Sequence, residues 1–156
     1  MSSYSINVEQ IESADVRALL LQHYDLMRSQ SPAESCHVMT PASLLAADAT
    51  LLGVRKDAVL LGIGAIAPVS DTHGELKSMH TRKDARRQGV SRILIKALFE
   101  QATKSGMSQL SLETGSAAAF SAARALYRSE GFHECPPFGD YQLDPLSVFM
   151  TKRLAR

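Results

Sequence analysis

Three short apolar runs follow one another in the middle of the chain and constrain the fold more than any other feature. They are Ala49–Val54, Ala58–Ala67 and Gly74–Thr81, separated only by Arg55-Lys56-Asp57 and by the loop Ser70–His73. Apolar runs of this length, bounded by turn residues, are typical of strands. Connections this short join antiparallel neighbours, because a parallel crossover needs a dozen or more residues. The sequence therefore predicts an antiparallel meander of three strands.

The flanking segments add further strands and helices. Helical spacing of apolar residues predicts four helices, with Ser13 as the capping residue of the first: one from Ser13 to before Pro32, Pro41–Ala47, Val90 to Gly106, and Ala117–Glu130. Four more strands are predicted at Tyr4–Val8, Met107–Thr114, Phe132–Cys135 and Leu146–Lys152. His23 lies on the apolar face of the first helix and is interpreted as a packed or rim residue. The fold class is therefore α/β, with a mixed, mostly antiparallel sheet of about seven strands and helices on both faces.

Length and composition fit a single domain over residues 1–156. A chain of 156 residues is long enough to bury about 70% of its unfolded surface. Its hydrophobic share of 45% and charged share of 21% are typical of a soluble globular domain. The formal net charge is +1. A nucleic-acid partner is not expected, because binding through counterion release needs a surplus of cations.

The sequence predicts neither a membrane span nor a metal site. The longest apolar stretch, Val59–Val69, is too short to cross a bilayer and contains Gly62 and Gly64. Cys36 and Cys135 lack the spacing of a zinc site, so reduced thiols are expected. The polar start of the chain lacks the layout of a secretory signal, and a cytoplasmic protein is expected.

Charge is distributed unevenly along the chain. Between Lys77 and Lys96 there are seven cations and one anion, a net charge of +6, so the remaining residues carry −5. This segment predicts a local anion site on a nearly neutral protein. The acidic remainder suits a positively charged partner.

A glycine stands between this cationic turn and the third predicted helix. Free N–H groups at a helix N-terminus bind a phosphate or pyrophosphate, and Gly89 would let that group approach the backbone. Arg86, Arg87 and Arg92 would add charge. The alternative is a solvated basic turn in front of a capped helix. The P-loop pattern and the Gly-x-Gly-x-x-Gly pattern of dinucleotide folds are both absent.

Two motifs give the chain a resemblance to a known family. Arg86-Arg87-Gln88-Gly89-Val90-Ser91 resembles the Arg/Gln-x-x-Gly-x-Gly/Ala signature of the GCN5-related N-acetyltransferases, the GNAT family. The segment Ala123–Phe132 resembles the Ala-x-x-Leu-Tyr-x-x-x-Gly-Phe element of the same family. The order of predicted elements matches that of the family over Tyr4–Leu154.

Two positions depart from the family pattern. Ser91 stands where a Gly or Ala is usual, and a short hydroxyl still leaves its N–H free for a phosphate. Phe120 stands where many members have Asn, so a side-chain contact with the coenzyme is not assumed there.

The resemblance implies acetyl-CoA as the co-substrate and no metal. The signature residues Arg86–Ser91, together with Arg92, would hold its phosphates. Main-chain groups of Met79 and Thr81, with His80 between them, would pair with the pantetheine arm. The N–H of Met79 would polarise the thioester carbonyl. Ordinary strand roles for Met79 and His80 are the alternative.

The resemblance also implies candidate catalytic residues. Tyr127 corresponds to the family's frequent general acid, whose hydroxyl protonates the departing thiolate; a buried core aromatic is the alternative. An amine must be neutral to attack, so a base or a water chain is needed. Glu75 is the first candidate and Glu113 the second, either of them acting directly or through water, and surface carboxylates are the competing interpretation. The amine would attack the thioester directly in a ternary complex, without a covalent enzyme intermediate.

The acceptor site is expected in the less typical parts of the chain. His37, after the first helix, and Tyr141, in the aromatic turn Pro136–Tyr141, are candidate substrate contacts. The pattern resembles a bacterial subgroup of small acetyltransferases, which favours a primary amine on a small molecule. Two other readings stay open, a non-catalytic coenzyme A sensor and an enzyme acting on protein N-termini, a ribosomal protein or transfer RNA. Dimers are common in the family, so a homodimer is a further expectation.

Overall fold

Seven strands form one mixed sheet in the computed structural model, which describes residues 3–154. In chain order they are β1 (Ser5–Val8), β2 (Thr50–Lys56), β3 (Val59–Pro68), β4 (His73–Thr81), β5 (Gln109–Gly115), β6 (His133–Glu134) and β7 (Ser147–Arg153). Their spatial order is β1-β2-β3-β4-β5-β7-β6. Every neighbouring pair is antiparallel except β4 and β5, which run parallel. The predicted α/β fold class is confirmed.

Four α-helices cover the two faces of this sheet among residues 3–154. They are α1 (Ala14–Gln30), α2 (Pro41–Ala46), α3 (Val90–Lys104) and α4 (Ser121–Ser129). Single 3₁₀ turns lie at Ala33–Ser35, Lys83–Ala85 and Ala118–Phe120. Within the same range, no helix is long and apolar enough to cross a membrane.

The core has two layers, one on each face of the sheet. On one face α1 and α2 bury a cluster that includes Leu20, Leu44 and Ile63. On the other face α3 packs Leu94 and Leu98 against the sheet in a larger cluster. Each such side chain contributes roughly 1.5–3 kcal/mol through removal from water. The sheet is thereby fixed from both sides, and its strands position the loops at their ends.

The parallel pair β4 and β5 separates soon after it begins. The strands pair only over His73–Glu75 and Gln109–Ser111. Farther along β4, Ser78 has a φ of +57°, and the register with β3 shifts so that extra β4 residues face Gly64. A bulge of this kind bends a strand and redirects its side chains. The result is an open cleft between β4 and β5.

The predicted strands that start at Met107 and Phe132 lose their first residues to the preceding helices, for one shared reason. The N–H of Met107 bonds to the carbonyl of Ala102, and the N–H of Phe132 bonds to the carbonyl of Tyr127. Both residues follow a glycine of positive φ and close a Schellman cap. Met107 and Phe132 therefore terminate helices, and β5 and β6 start at the residues beyond them.

Two details of the predicted helices are corrected. Ser13 precedes α1 as expected, but its side chain makes no capping hydrogen bond. The predicted helix Ala117–Glu130 begins with a 3₁₀ turn, and α4 proper starts only at Ser121. The ring of Phe120 packs on Gly115, where an added Cβ would lie 2.2 Å from Phe120 Cδ2. The turn positions this ring beneath the cleft.

Candidate active site

The cleft between β4 and β5 collects side chains from four parts of the chain. α1 and the segment after it contribute His23, Cys36 and His37, and the α4 region contributes Phe120, Ala123 and Tyr127. The two strands contribute Leu76 to Met79 on β4 and Glu113 to Gly115 on β5. The separation of two parallel strands creates the space, and the helices on either face close it. Residues far apart in sequence therefore meet at the point where the sheet opens.

The loop before α3 leaves a set of backbone donors uncapped. Gly89 is the N-cap residue with a φ of +80°, and no side chain within residues 3–154 caps this end of α3. A Cβ built on Gly89 meets no atom within 4 Å, so the space above it is open. The N–H groups of Val90 and Ser91 lie in the first turn of the helix, where anions bind. This geometry suits a phosphate group.

The arginines around this loop differ in how they are paired. Arg82 forms an ion pair with Asp84 at 2.6 Å, and Arg92 forms one with Glu130. Within residues 3–154, Arg86 and Arg87 have no carboxylate partner, and both are exposed. Arg86 and Arg87 are therefore the arginines available to an anion at this loop.

The remaining signature residues join the loop to the sheet. The Ser91 hydroxyl lies 2.8 Å from the Thr81 hydroxyl, so the end of β4 is tied to the start of α3. Gln88 donates to the carbonyl of Asp84 at 3.4 Å. The departure from Gly or Ala at position 91 thus adds a hydrogen bond between two elements.

Met79 and His80 lie on opposite faces of the sheet. A Cβ built on Gly64 would lie 2.5 Å from Met79 Sδ, so the thioether rests on β3 toward α3. His80 Nδ1 lies 3.1 Å from His23 Nδ1 on α1. The backbone between them borders the cleft at the stretch where β5 has already diverged.

Tyr127 presents its hydroxyl to the cleft. The side chain is 8% exposed and packs against Phe132, with ring centroids 5.8 Å apart. No donor or acceptor within residues 3–154 bonds to its hydroxyl. Burial raises the pKa of Tyr127 to about 12. The phenol is therefore protonated at neutral pH and free to bond to a bound molecule.

The two candidate carboxylates have different surroundings. Glu113 lines the cleft with Tyr127, and burial raises the pKa of its carboxyl. Glu75 accepts a hydrogen bond from the Tyr141 hydroxyl and lies 3.5 Å from Lys77 Nζ. It lines a neighbouring cavity instead of the cleft that contains Tyr127. Glu113 is therefore the carboxylate that shares a cavity with the phenol.

The neighbouring cavity contains both predicted substrate contacts. Lys77 Nζ donates to the carbonyl of His37 at 2.9 Å and to the Tyr141 hydroxyl at 3.0 Å. The rings of His37 and Tyr141 meet edge to face, with centroids 5.1 Å apart. The Ser35 hydroxyl donates to Asp144 at 2.7 Å. These bonds join the segment after α1 to the loop before β7 across β4.

Lys77 and His23 have roles that sequence reasoning missed. Lys77 was counted with the cations of the anion site, but its ammonium lies four residues before the end of β4, on the cavity side. Its position on β4 was a signal, because a cation inside a predicted strand is not part of the following loop. His23 lines the cleft instead of only packing against it. Its signal was an imidazole in an otherwise apolar helix face.

No group of three or more His, Cys, Asp or Glu side chains that could hold a metal ion occurs within the described range 3–154.

The family model for the acetyltransferase (GNAT) family matches residues 16–132. The uncharacterized N-acetyltransferase YsnE of Bacillus subtilis (strain 168) is 40% identical over 149 residues, covering 96% of this chain and 99% of YsnE. A protein named IAA acetyltransferase from Azospirillum brasilense is 40% identical over 125 residues, covering 79% of this chain and 80% of that protein. The chain therefore belongs to the GNAT family and is an acetyl-CoA-dependent acetyltransferase.

Solved structures have the same fold. An acyl-CoA N-acyltransferase structure from Klebsiella pneumoniae has a TM-score of 0.76 at 30% identity, covering 97% of this chain and 98% of that one. A GNAT acetyltransferase of Elizabethkingia anophelis with acetyl-CoA bound has a TM-score of 0.72 at 16% identity, covering 97% and 98%. The fold is thus shared by proteins whose sequences differ widely.

Proposed function

We propose that this enzyme transfers the acetyl group of acetyl-CoA to a primary amine of a small molecule, by direct attack in a ternary complex. The observation that carries the proposal is the cleft itself, where a buried phenol with no hydrogen-bond partner among residues 3–154 and a half-buried carboxylate line one cavity. A hydroxyl that can donate a proton and a carboxylate that can accept one are the two groups this reaction needs.

The coenzyme would extend from the α3 loop into the cleft. Its phosphates would bind the backbone of Gln88 to Ser91, with Arg86 and Arg87 supplying charge. Arg92 is held by Glu130 and would contribute mainly its N–H. The pantetheine arm would pair with the backbone of Met79, His80 and Thr81, and the N–H of Met79 would stabilise the developing oxyanion.

Tyr127 would protonate the leaving thiolate. Its raised pKa keeps the phenol protonated at neutral pH, so the hydroxyl is a hydrogen-bond donor in the resting enzyme. No group within residues 3–154 bonds to this hydroxyl, so it would be free to donate to the sulfur as negative charge develops there. The core-aromatic alternative predicts no loss of activity on removal of this hydroxyl.

Glu113 is our first candidate for the base, and Glu75 the second. Burial makes the Glu113 carboxylate a better proton acceptor than an exposed one, because its charged form is disfavoured. Glu75 accepts a hydrogen bond from Tyr141 and lies 3.5 Å from Lys77 Nζ, so its carboxylate is already engaged by protein groups outside the cleft that contains Tyr127.

The acceptor would enter through the cavity next to the cleft. His37, Val38 and Lys77 line both spaces, so the two are adjacent. This neighbouring cavity, which we call the outer cavity, also has Glu34, Asp140 and Asp144 on its wall. This acidic lining favours a cationic amine over an anionic one. The relative named for IAA and not for a protein supports a small acceptor.

A thiol-release assay tests the proposal. Acetyl-CoA is mixed with the enzyme and a panel of amines, diamines, amino acids and peptides, and acetylated products are identified by mass spectrometry. We expect turnover with small cationic amines, and a kcat about 100-fold lower in Tyr127→Phe with unchanged acetyl-CoA affinity. Tight coenzyme binding without thiol release from any amine would instead indicate a sensor. Homodimer formation stays a prediction, to be measured by light scattering.

A further inference from the structure

Two histidines from different elements meet at the edge of the cleft. His23 on α1 and His80 on β4 approach with their Nδ1 atoms 3.1 Å apart and their rings at 69°. His23 is 7% exposed, and His80 is half-buried. The mechanism proposed above uses neither side chain.

A hydrogen bond between two Nδ1 atoms restricts the protonation of both rings. One Nδ1 carries the proton and the other offers a lone pair, so the neutral rings are opposite tautomers. In the ring whose Nδ1 carries the proton, Nε2 offers a lone pair. In the other ring, Nε2 carries the proton. Within residues 3–154 neither Nε2 bonds to another protein group. The pair has two arrangements, related by a shift of protons along the chain of nitrogens.

The surroundings keep the two rings neutral. Burial lowers the pKa of His23 to about 3 and that of His80 to about 4. The cations Lys77, near His23, and Arg86, near His80, act in the same direction. No carboxylate forms an ion pair with either ring among the described residues. A proton that passed along the pair would therefore move by exchange of tautomers, without a stored imidazolium.

The pair connects the catalytic cleft with another part of the surface. His23 lines the cleft that contains Glu113 and Tyr127. His80 follows the β4 bulge, is partly exposed, and lies near Arg86 of the coenzyme loop. Acetylation of an ammonium group to a neutral amide, with release of a neutral thiol, liberates one proton per turnover. With both substrates bound, that proton needs a route out of the filled cleft.

We propose that His23 and His80 form a proton relay that carries the proton released by acetylation from the cleft to solvent. The proposal rests on the proposed function, because it assumes that Glu113 receives the proton of the attacking amine inside the cleft. His23 and His80 are assigned no contact with the thioester.

The step balances as a transfer of one proton. The proton from the Glu113 carboxyl, or from water beside it, binds to His23 Nε2. The proton on His23 Nδ1 passes to His80 Nδ1, and the proton on His80 Nε2 passes to water. Both rings are neutral before and after. When the products leave and water fills the cleft, the reverse exchange restores the first arrangement: His80 Nε2 takes one proton from water, and His23 Nε2 releases one into the open cleft, where it passes to bulk water. The relay therefore removes the proton during the step in which the cleft is filled by substrates.

Glutamine substitutions separate a relay from a purely structural pair. A glutamine side chain can donate and accept one hydrogen bond, but it cannot take up one proton while releasing another. The variants are His23→Gln, His80→Gln and their combination. His133→Gln is the matched control, because His133 is exposed on β6 away from the cleft. Thermal melting and acetyl-CoA affinity are measured alongside kcat for the amine that the wild type acetylates fastest.

We expect each single variant to lose roughly tenfold in kcat, with coenzyme affinity and melting temperature close to those of the wild type. The double variant should lose no more than either single one, since a relay broken at one point is already broken. In His80→Ala, added imidazole should restore kcat in proportion to its concentration, a response that packing alone does not give. If His23→Gln does not fold, His80→Gln and the imidazole series carry the test.

Unchanged kcat in both glutamine variants would overturn the relay while leaving the acetyltransferase reaction intact. A loss in His23→Gln alone, with His80→Gln at the wild-type rate, would also overturn it, because His23 would then act without its partner. A wild type that acetylates no amine would refute the proposed function instead, so the two failures are distinguishable.

Discussion

Glu113 and Tyr127 differ from the exposed acids and phenols of the same chain because their side chains are largely removed from water. Burial disfavours the charged form of each group, so it raises the pKa of both. In the proposed mechanism, this would keep Tyr127 protonated as a donor to the leaving sulfur. It would also increase the affinity of Glu113 for the proton that an attacking ammonium must lose.

Replacement of Glu113 by glutamine should change the pH dependence of the reaction. Glu113 accepts a proton only when ionised, so wild-type kcat/KM should fall as the pH decreases through its raised pKa. Glu113→Gln should lower kcat by roughly 100-fold and abolish this acidic limb. The measurement is kcat/KM for the acceptor as a function of pH.

Glu75→Gln is the matched control for this experiment. This substitution removes a carboxylate that accepts a hydrogen bond from Tyr141. It should therefore change the KM for the acceptor more than it changes the acidic limb of the pH profile. The melting temperature of Glu113→Gln should not decrease at neutral pH. The carboxyl of wild-type Glu113 has a higher pKa in the folded state than in the unfolded state, so its ionised form lowers the stability of the folded protein at neutral pH. The uncharged amide of glutamine removes this cost. Loss of the limb in Glu75→Gln alone would make Glu75 the base.

At the scale of elements, the start of α3 is a place where a single substitution tests the proposed coenzyme site. Gly89 has a φ of +80° with open space above it, and Gly106 after α3 has a φ of +84° with equally open space. Alanine at either position incurs a similar strain of roughly 1–2 kcal/mol. Only at Gly89 would the new methyl group project toward the bound phosphates.

Gly89→Ala should therefore weaken acetyl-CoA binding by about tenfold, equivalent to about 1.4 kcal/mol, whereas Gly106→Ala should not. Both variants should melt at similarly reduced temperatures. Calorimetric titration with coenzyme A and thermal denaturation measure the two effects. Equal coenzyme affinity in the two variants would place the phosphates elsewhere.

The order of elements could be predicted from the sequence, and the places where elements touch could not. Apolar spacing and glycine positions are local signals, so they located the strands, the helices and the Gly89 loop. The caps at Met107 and Phe132 depend on bonds back into the preceding helix, and spacing alone assigned both residues to strands. The Ser78 bulge depends on the register against β3, which no single segment contains.

In the candidate site, too, residues in local motifs could be predicted from the sequence, whereas contacts between distant segments could not. Tyr127 and Glu113 could be proposed because they lie in or near recognisable motifs, and they do share a cavity. The bonds of Tyr141 to Glu75 and Lys77, and the contact of His23 with His80, join residues more than fifty positions apart. Such contacts depend on the assembled sheet, so they could not be predicted from local patterns in the chain.

The loop before β7 is the second element whose attachment can be tested. Tyr141 bonds to Glu75 and Lys77, and Ser35 bonds to Asp144, so two links hold this loop over the outer cavity. Tyr141→Phe should raise acceptor KM severalfold while acetyl-CoA affinity stays constant, because the ring is kept and the anchoring bonds are lost. Steady-state kinetics with each substrate varied in turn measures this. A change confined to the coenzyme would contradict an acceptor role for the loop.

At the scale of the whole molecule, the net charge of +1 conceals a surplus at one end of the cleft. Ion pairs with Asp84 and Glu130 neutralise Arg82 and Arg92, and Lys77 lies on the acceptor side. Lys83, Arg86 and Arg87 have no carboxylate partner among residues 3–154, and in the proposed coenzyme site the attraction for the phosphates would fall mainly on the two next to Gly89, Arg86 and Arg87. Both are exposed, so salt screens them strongly.

The KM for acetyl-CoA should rise severalfold between about 0.1 M and about 1 M NaCl, since the Debye length falls from about 10 Å to about 3 Å. In the double variant Arg86→Gln/Arg87→Gln, KM should be high already at low salt and depend little on it. Lys104→Gln removes a cation at the far end of the 15-residue α3, about 22 Å from the loop, and should keep the wild-type salt dependence. If the double variant and Lys104→Gln respond to salt alike, the coenzyme is attracted by net charge alone. A different response assigns the attraction to the two arginines beside Gly89, because the net charges of the variants, 1 − 2 = −1 and 1 − 1 = 0, differ by only one unit.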